Sequence, residues 1–175
     1  RAPVAELSDW RMPGVKFGKW ARFDNATFGD GAEFFCATFE DGASFVSATF
    51  RAGASFRGAK FENGASFLDA EFGKGASFLD AEFGKGASFL DATFRAVASF
   101  RGVKFGDGAS FDRATFGEGA RFDRAIFKER ASFEGCTFDN DAIFDGAKFT
   151  GQARFDRSTF GPRAGFAHAT FGDTA

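Results

Sequence analysis

The chain has 175 residues, 24 of them acidic and 22 basic, for a formal net charge of −2; this excludes both the basic stripe of a nucleic-acid binder and the acidic excess of a nucleic-acid mimic. No apolar run approaches the ~18–20 residues of a membrane-crossing helix, and the length suits one domain with a real core. With 30 Phe, no Tyr and a single His, the composition excludes an ordinary globular mixture and implies one position type that demands Phe repeatedly.

Residues 1–20 carry Pro3, Trp10, Pro13 and Trp20 and no regular pattern. They read as an N-terminal cap, with Val15-Lys16-Phe17 as a degenerate first unit, because an open solenoid end exposes core and strand edges. From Ala21 the pattern locks. Phe recurs at 23, 28, 34, 39 and onward to 171 in steps that alternate five and six, without a slip. The period is therefore eleven, and fourteen repeats run from Ala21 to Thr174. Two residues before each of these 28 Phe stands a small residue, Ala in all but Val103, Cys136 and Ser158. The end of the chain, "AGFAHATFGDTA", has no counterpart to the cap. That end is expected to be covered, by a second copy in a homodimer or by further chain.

An eleven-residue period can also signal a right-handed coiled coil. At ~100° per residue the two Phe of a repeat would lie ~130–140° apart on a helix and share no seam. Gly occurs in most repeats, at a cost of ~1 kcal/mol each inside a helix. Small-x-Phe is instead a period-2 pattern, two inward side chains flanking an outward one. Each Ala-x-Phe reads as a short strand and the residues after it as a corner. The six-residue units carry one extra residue. It is Gly at 31, 42, 53, 64, 75, 86, 108 and 119, but Val97, Arg130, Asp141, Gln152 and Arg163 elsewhere. Gly favours a left-handed corner; the Val and Arg imply that positive φ is not required there.

Ala-Ser-Phe-x-x and Ala-Thr-Phe-x-x resemble the motif of the pentapeptide-repeat proteins, and the resemblance spans 28 consecutive units. It implies an all-β solenoid, a right-handed quadrilateral β-helix with four units per coil and with the Ala and the central Phe inward. The chain departs from that motif in the six residues of every second unit. Four units make 22 residues, so residue n sits beneath residue n+22. About seven coils at a strand spacing of ~4.8 Å give a rod ~34 Å long. Phe23, Phe45, Phe67 and their successors should form one of four stacked ladders. Each buried Phe contributes ~1.5–3 kcal/mol, and Ala fits beside it because four Phe already fill each cross-section.

Little in the sequence carries chemistry. His168 falls at an outward corner without a nucleophile or acid to partner it. The carboxylates recur as a solvated surface, and Gly73-Lys74-Gly75 lacks the following helix and lysine of a phosphate loop. Cys36 should point outward and Cys136 inward, about 4.5 coils apart, too far for a disulfide. Two thiols and one His make no zinc site. The chain is expected to use no cofactor or metal and to be no enzyme. Unpaired thiols favour a reducing, cytoplasmic compartment. The reading is a rigid scaffold or interaction module with a protein partner, binding neither nucleic acid nor membrane. The alternative comes from the resemblance: some pentapeptide-repeat proteins mimic DNA and bind gyrase. The candidate contact patch is Val46, Leu68 and Leu90. Each directly follows an inward Phe, and their spacing of 22 stacks them in one outward column, where Asp24, Asp112, Glu134 and Asp156 otherwise place charge.

Overall fold

In the computed structural model the described residues are 6–7 and 10–172. Pro3 of the expected cap and Thr174 at the end of the last repeat lie outside them. Among the described residues the chain makes 18 strands of two residues each, and no helix. Thr27–Phe28 pairs in parallel with Thr49–Phe50, and that in turn with Glu71–Phe72, in steps of 22. Eight such strands form one wall and eight more, beginning at Lys16–Phe17, form a second. The two walls are half a coil apart and so face one another. Between them the other two walls touch mainly through isolated parallel bridges such as Ser44↔Ser66 and Ser55↔Ser77. Among the described residues their one regular pair is Ala131–Ser132 with Ala153–Arg154. The fold is a four-sided all-β solenoid of about seven coils.

The register of 22 already holds at Lys16↔Thr38 and Arg11↔Glu33. Only Glu6↔Thr27 runs at 21. The unit at Phe17 joins the ladder, its ring stacked on Phe39 at 4.7 Å. Trp10 lies near the same end, with its ring 5.5 Å from Phe28 and 6.1 Å from Phe23, both edge-on.

Inside, the alternation expected from small-x-Phe is met along the rod. Every inward Phe from Phe28 to Phe149 is buried, with the small residue two positions before it from Ala32 onward. Rings 22 residues apart lie parallel, as Phe45 and Phe67 do at 4.8 Å and 0°. Rings of opposite walls, half a coil apart, meet edge-on, as Phe67 and Phe78 do at 5.8 Å and 90°. Both are favoured arrangements for aromatic quadrupoles, beyond the area they bury. Two of the inward exceptions are polar and satisfied. Cys136 Sγ donates to the Phe111 carbonyl at 2.9 Å. Ser158 Oγ donates to the Phe133 carbonyl and accepts from Cys136 N at 3.1 Å.

The corners correct one expectation. Positive φ is not confined to glycine: Val97 (57°), Arg130 (59°), Asp141 (61°) and Arg163 (63°) adopt it too, and of the extra residues only Gln152 does not. In the five-residue units the residue before the inward Ala does the same, Asn25 at 59° and Cys36 at 53° among them. The cause is geometric. In the shorter unit the Ala26 amide donates back to the Phe23 carbonyl at 3.1 Å, closing a four-residue turn whose third residue is left-handed, as in a type II turn. At every one of these corners but Gln152, the residue before the inward small residue rotates the chain so that the next side chain points inward. Val97 carries the largest strain, because a β-branched residue is a genuine outlier in this region. Val97→Gly is therefore expected to raise stability by ~0.5–1 kcal/mol, even after the extra freedom of glycine in the unfolded chain. A chemical-denaturation midpoint that falls instead would refute the strain at this corner.

Candidate functional site

Because the core consumes every inward position, any site must be built from outward side chains. They form columns in which each residue stacks on the one 22 positions away. The turn amides that point along the rod need acceptors, and two devices supply them. Asp24 Oδ1 accepts from Val46 N at 3.1 Å and Asp30 Oδ1 from Ala52 N at 3.0 Å. In other coils a serine two residues earlier accepts instead, as Ser66 Oγ does from Leu68 N and Ser88 Oγ from Leu90 N, at 3.4 Å each. This explains why Ser and Asp recur on these walls.

Val46, Leu68 and Leu90 do stack in one column: Ser47 N donates to the Leu68 carbonyl at 2.8 Å and Asp69 N to the Leu90 carbonyl at 2.9 Å. All three side chains are half-buried rather than exposed. The most exposed apolar residues lie elsewhere, at Trp20 (71%), Val97 (48%), Phe35 (45%), Phe171 (45%) and Phe166 (37%). The sequence did hold a signal for Trp20 and Val97. Each directly precedes an inward Ala, a corner position whose side chain leaves the rod.

Charge on the walls is paired along the columns. Arg113 makes a two-pronged contact to Asp91, 2.7 Å from each oxygen. Lys104 Nζ lies 2.7 Å from Glu82 and Lys16 Nζ 2.6 Å from Glu40. These hydrogen bonds hold the carboxyls of Asp91, Glu82 and Glu40 below their usual range and raise the lysines. Such exposed pairs contribute little to stability. Asp123 is the exception in burial, at 7% exposure, and it sits between Arg101 (3.1 Å) and Arg121 (2.9 Å).

His168 is exposed at its corner. Among the described residues no group of His, Cys, Asp and Glu could hold a metal ion, and no helix is long and apolar enough to cross a membrane. Cys36 is exposed, Cys136 is buried, and neither is bridged. Burial pushes the Cys136 thiol up to about 12, so at neutral pH it is neither nucleophile nor metal ligand.

A family model described as pentapeptide repeats (9 copies) matches residues 34–82, 45–93, 89–137 and 133–175. No curated protein sequence matches the chain. Among solved structures, full-length QnrB1, a plasmid-mediated fluoroquinolone resistance protein, is 18% identical, with 97% of this chain and 87% of that one aligned and a TM-score of 0.35. HetL, a pentapeptide repeat protein involved in heterocyst differentiation regulation in the cyanobacterium Nostoc sp., is 17% identical over 98% and 89% of the two chains, with a TM-score of 0.30.

Proposed function

We propose that this chain, which belongs to the pentapeptide-repeat family, is a non-catalytic rigid scaffold that presents its walls to a protein partner in the cytoplasm. The observation that supports this reading is the division of labour between the two sides of the chain. The inward positions hold an unbroken stack of rings, and the outward positions hold paired charges and short polar groups fixed at the spacing of the coils. A solenoid of this kind displays side chains on a surface that does not deform. Residues 1–20 serve as the cap of the N-terminal end, with Trp10 against its terminal rings. A homodimer through the C-terminal end belongs to the same reading.

The contact column is Val46, Leu68 and Leu90. A photo-crosslinking side chain in place of Leu68 should capture one specific protein from host extract, and the same group in place of Ser110 should not. Equal capture at both positions, or none, counts against the column. DNA mimicry is the alternative function, and the near-equal charges oppose it. In a gyrase supercoiling assay the purified protein is expected to leave the reaction unchanged at micromolar concentration. Inhibition there would replace the scaffold reading with a topoisomerase-binding one.

A further inference from the structure

Trp20 stands apart from the other corner residues. It is the most exposed large apolar side chain among the described residues, at 71%. Its φ is +61°, left-handed as at the other corners, so it is the exposure of the ring and not its backbone that sets it apart. Its indole is seated on the next coil. A Cβ at Gly42 would lie 2.1 Å from its Cε3 and 2.3 Å from its Cζ3, so only glycine accommodates the ring there. Beside it opens a cleft of about 510 Å³ bounded by Trp20, Arg22, Ser44, Val46 and Ser66.

The polar side of this cleft is fixed by Asp24. Arg22 Nε donates to Asp24 Oδ2 at 3.0 Å, and Ser44 Oγ donates to Asp24 Oδ1. The guanidinium is thereby neutralised, which removes the attraction a phosphate or carboxylate would need. The apolar side is one aromatic and one half-buried valine, too little to anchor a hydrophobic peptide, which requires a buried pocket. What remains is an aromatic surface beside hydroxyls and a neutral ion pair. That chemistry suits a ring with an apolar face and a polar edge, since an aromatic supplies area and quadrupole while the polar groups fix orientation. A pyranose with all-equatorial hydroxyls has this form: its axial C–H groups make both faces apolar and its hydroxyls project from the edge.

We propose that the Trp20 cleft binds a neutral β-linked glucose unit, with the sugar face on the indole and its hydroxyls toward Arg22 and Ser66. The test is saturation-transfer NMR on cellotetraose with the full chain. The sugar's axial C–H signals are expected to be saturated most strongly, with an affinity of ~1 mM, as befits a small contact. Trp20→Ala should weaken binding at least ~10-fold. Arg22→Gln, at an exposed position that leaves the ring in place, should weaken it ~3-fold or more. Absence of transfer to the wild type at ~20 mM sugar, or undiminished transfer to a Trp20→Ala protein with a native melting curve, overturns the proposal. Should Trp20→Ala melt abnormally, Arg22→Gln decides, and full affinity in that variant overturns it as well.

Discussion

Phe111→Ala should cost about 3–5 kcal/mol of stability, while Ser110→Ala, one residue away, should cost less than ~0.5 kcal/mol. Phe111 is fully buried in mid-rod. Its ring lies parallel to Phe89 and Phe133, at 4.8 Å from each. It also meets Phe105, Phe100 and Phe122 edge-on at 5.3, 5.5 and 5.7 Å. Truncation removes the transfer energy of the ring and leaves a cavity that its aromatic neighbours, each fixed in its own ladder, cannot collapse to fill. Ser110 is half-buried on the outer wall. Its hydroxyl accepts only one long bond, from Asp112 N at 3.4 Å, and water can replace it. Because a solenoid's coils contact only their neighbours, the Phe111 variant should also protect fewer amides in the coils around it. Guanidinium denaturation followed by far-ultraviolet circular dichroism gives the two midpoints. If they agree, the assignment of inward and outward positions is wrong.

Gly106→Ala should destabilise by about 2–3 kcal/mol, and Gly108→Ala by only about 1 kcal/mol, for different reasons. Gly106 has ordinary φ, but a Cβ there would lie 2.7 Å from both C and O of Gly84 and 2.9 Å from Lys85 N. Those atoms belong to the backbone of the coil beneath, so relief requires the two coils to separate, against the bond from Gly106 N to the Phe83 carbonyl at 2.8 Å. Gly108 has open space around its Cβ position, but φ is +73°, so alanine meets only the intrinsic left-handed penalty. Gly73, Gly84, Gly117, Gly161 and Gly172 approach the backbone of the coil beneath as closely, while Glu62 and Lys128 occupy the position of Gly106 in other coils. Comparing the two melts separates the mechanisms. A larger loss at Gly108 would show that conformation, and not the contact between coils, governs these corners.

The pairing of residues n and n+22, the inward Phe and Ala, and the outward Ser and Thr were all legible in the sequence. They follow from chain geometry that repeats without a slip. A period of two within the unit sets which side faces in, and the alternating five and six set the coil. Steric volume then allows one large and one small residue per wall. Even the satisfaction of Cys136 and Ser158 at Ala sites fits that volume limit.

Three things were decided only in three dimensions. Positive φ at Val97, Arg130, Asp141 and Arg163 was not legible, because side-chain preference argued against it. The turn's need to aim the following Ala inward prevailed over a local penalty of ~1–2 kcal/mol. The half-burial of Val46, Leu68 and Leu90 was not legible either. Coils separated by one strand spacing cover part of any side chain stacked between them, however surely it points outward. The cleft beside Trp20 joins residues from three successive coils, Trp20 and Arg22 with Ser44 and Val46 and then Ser66. Repetition fixed where each of them stands along the rod. Only the seat that Gly42 leaves for the indole determined that they enclose a space.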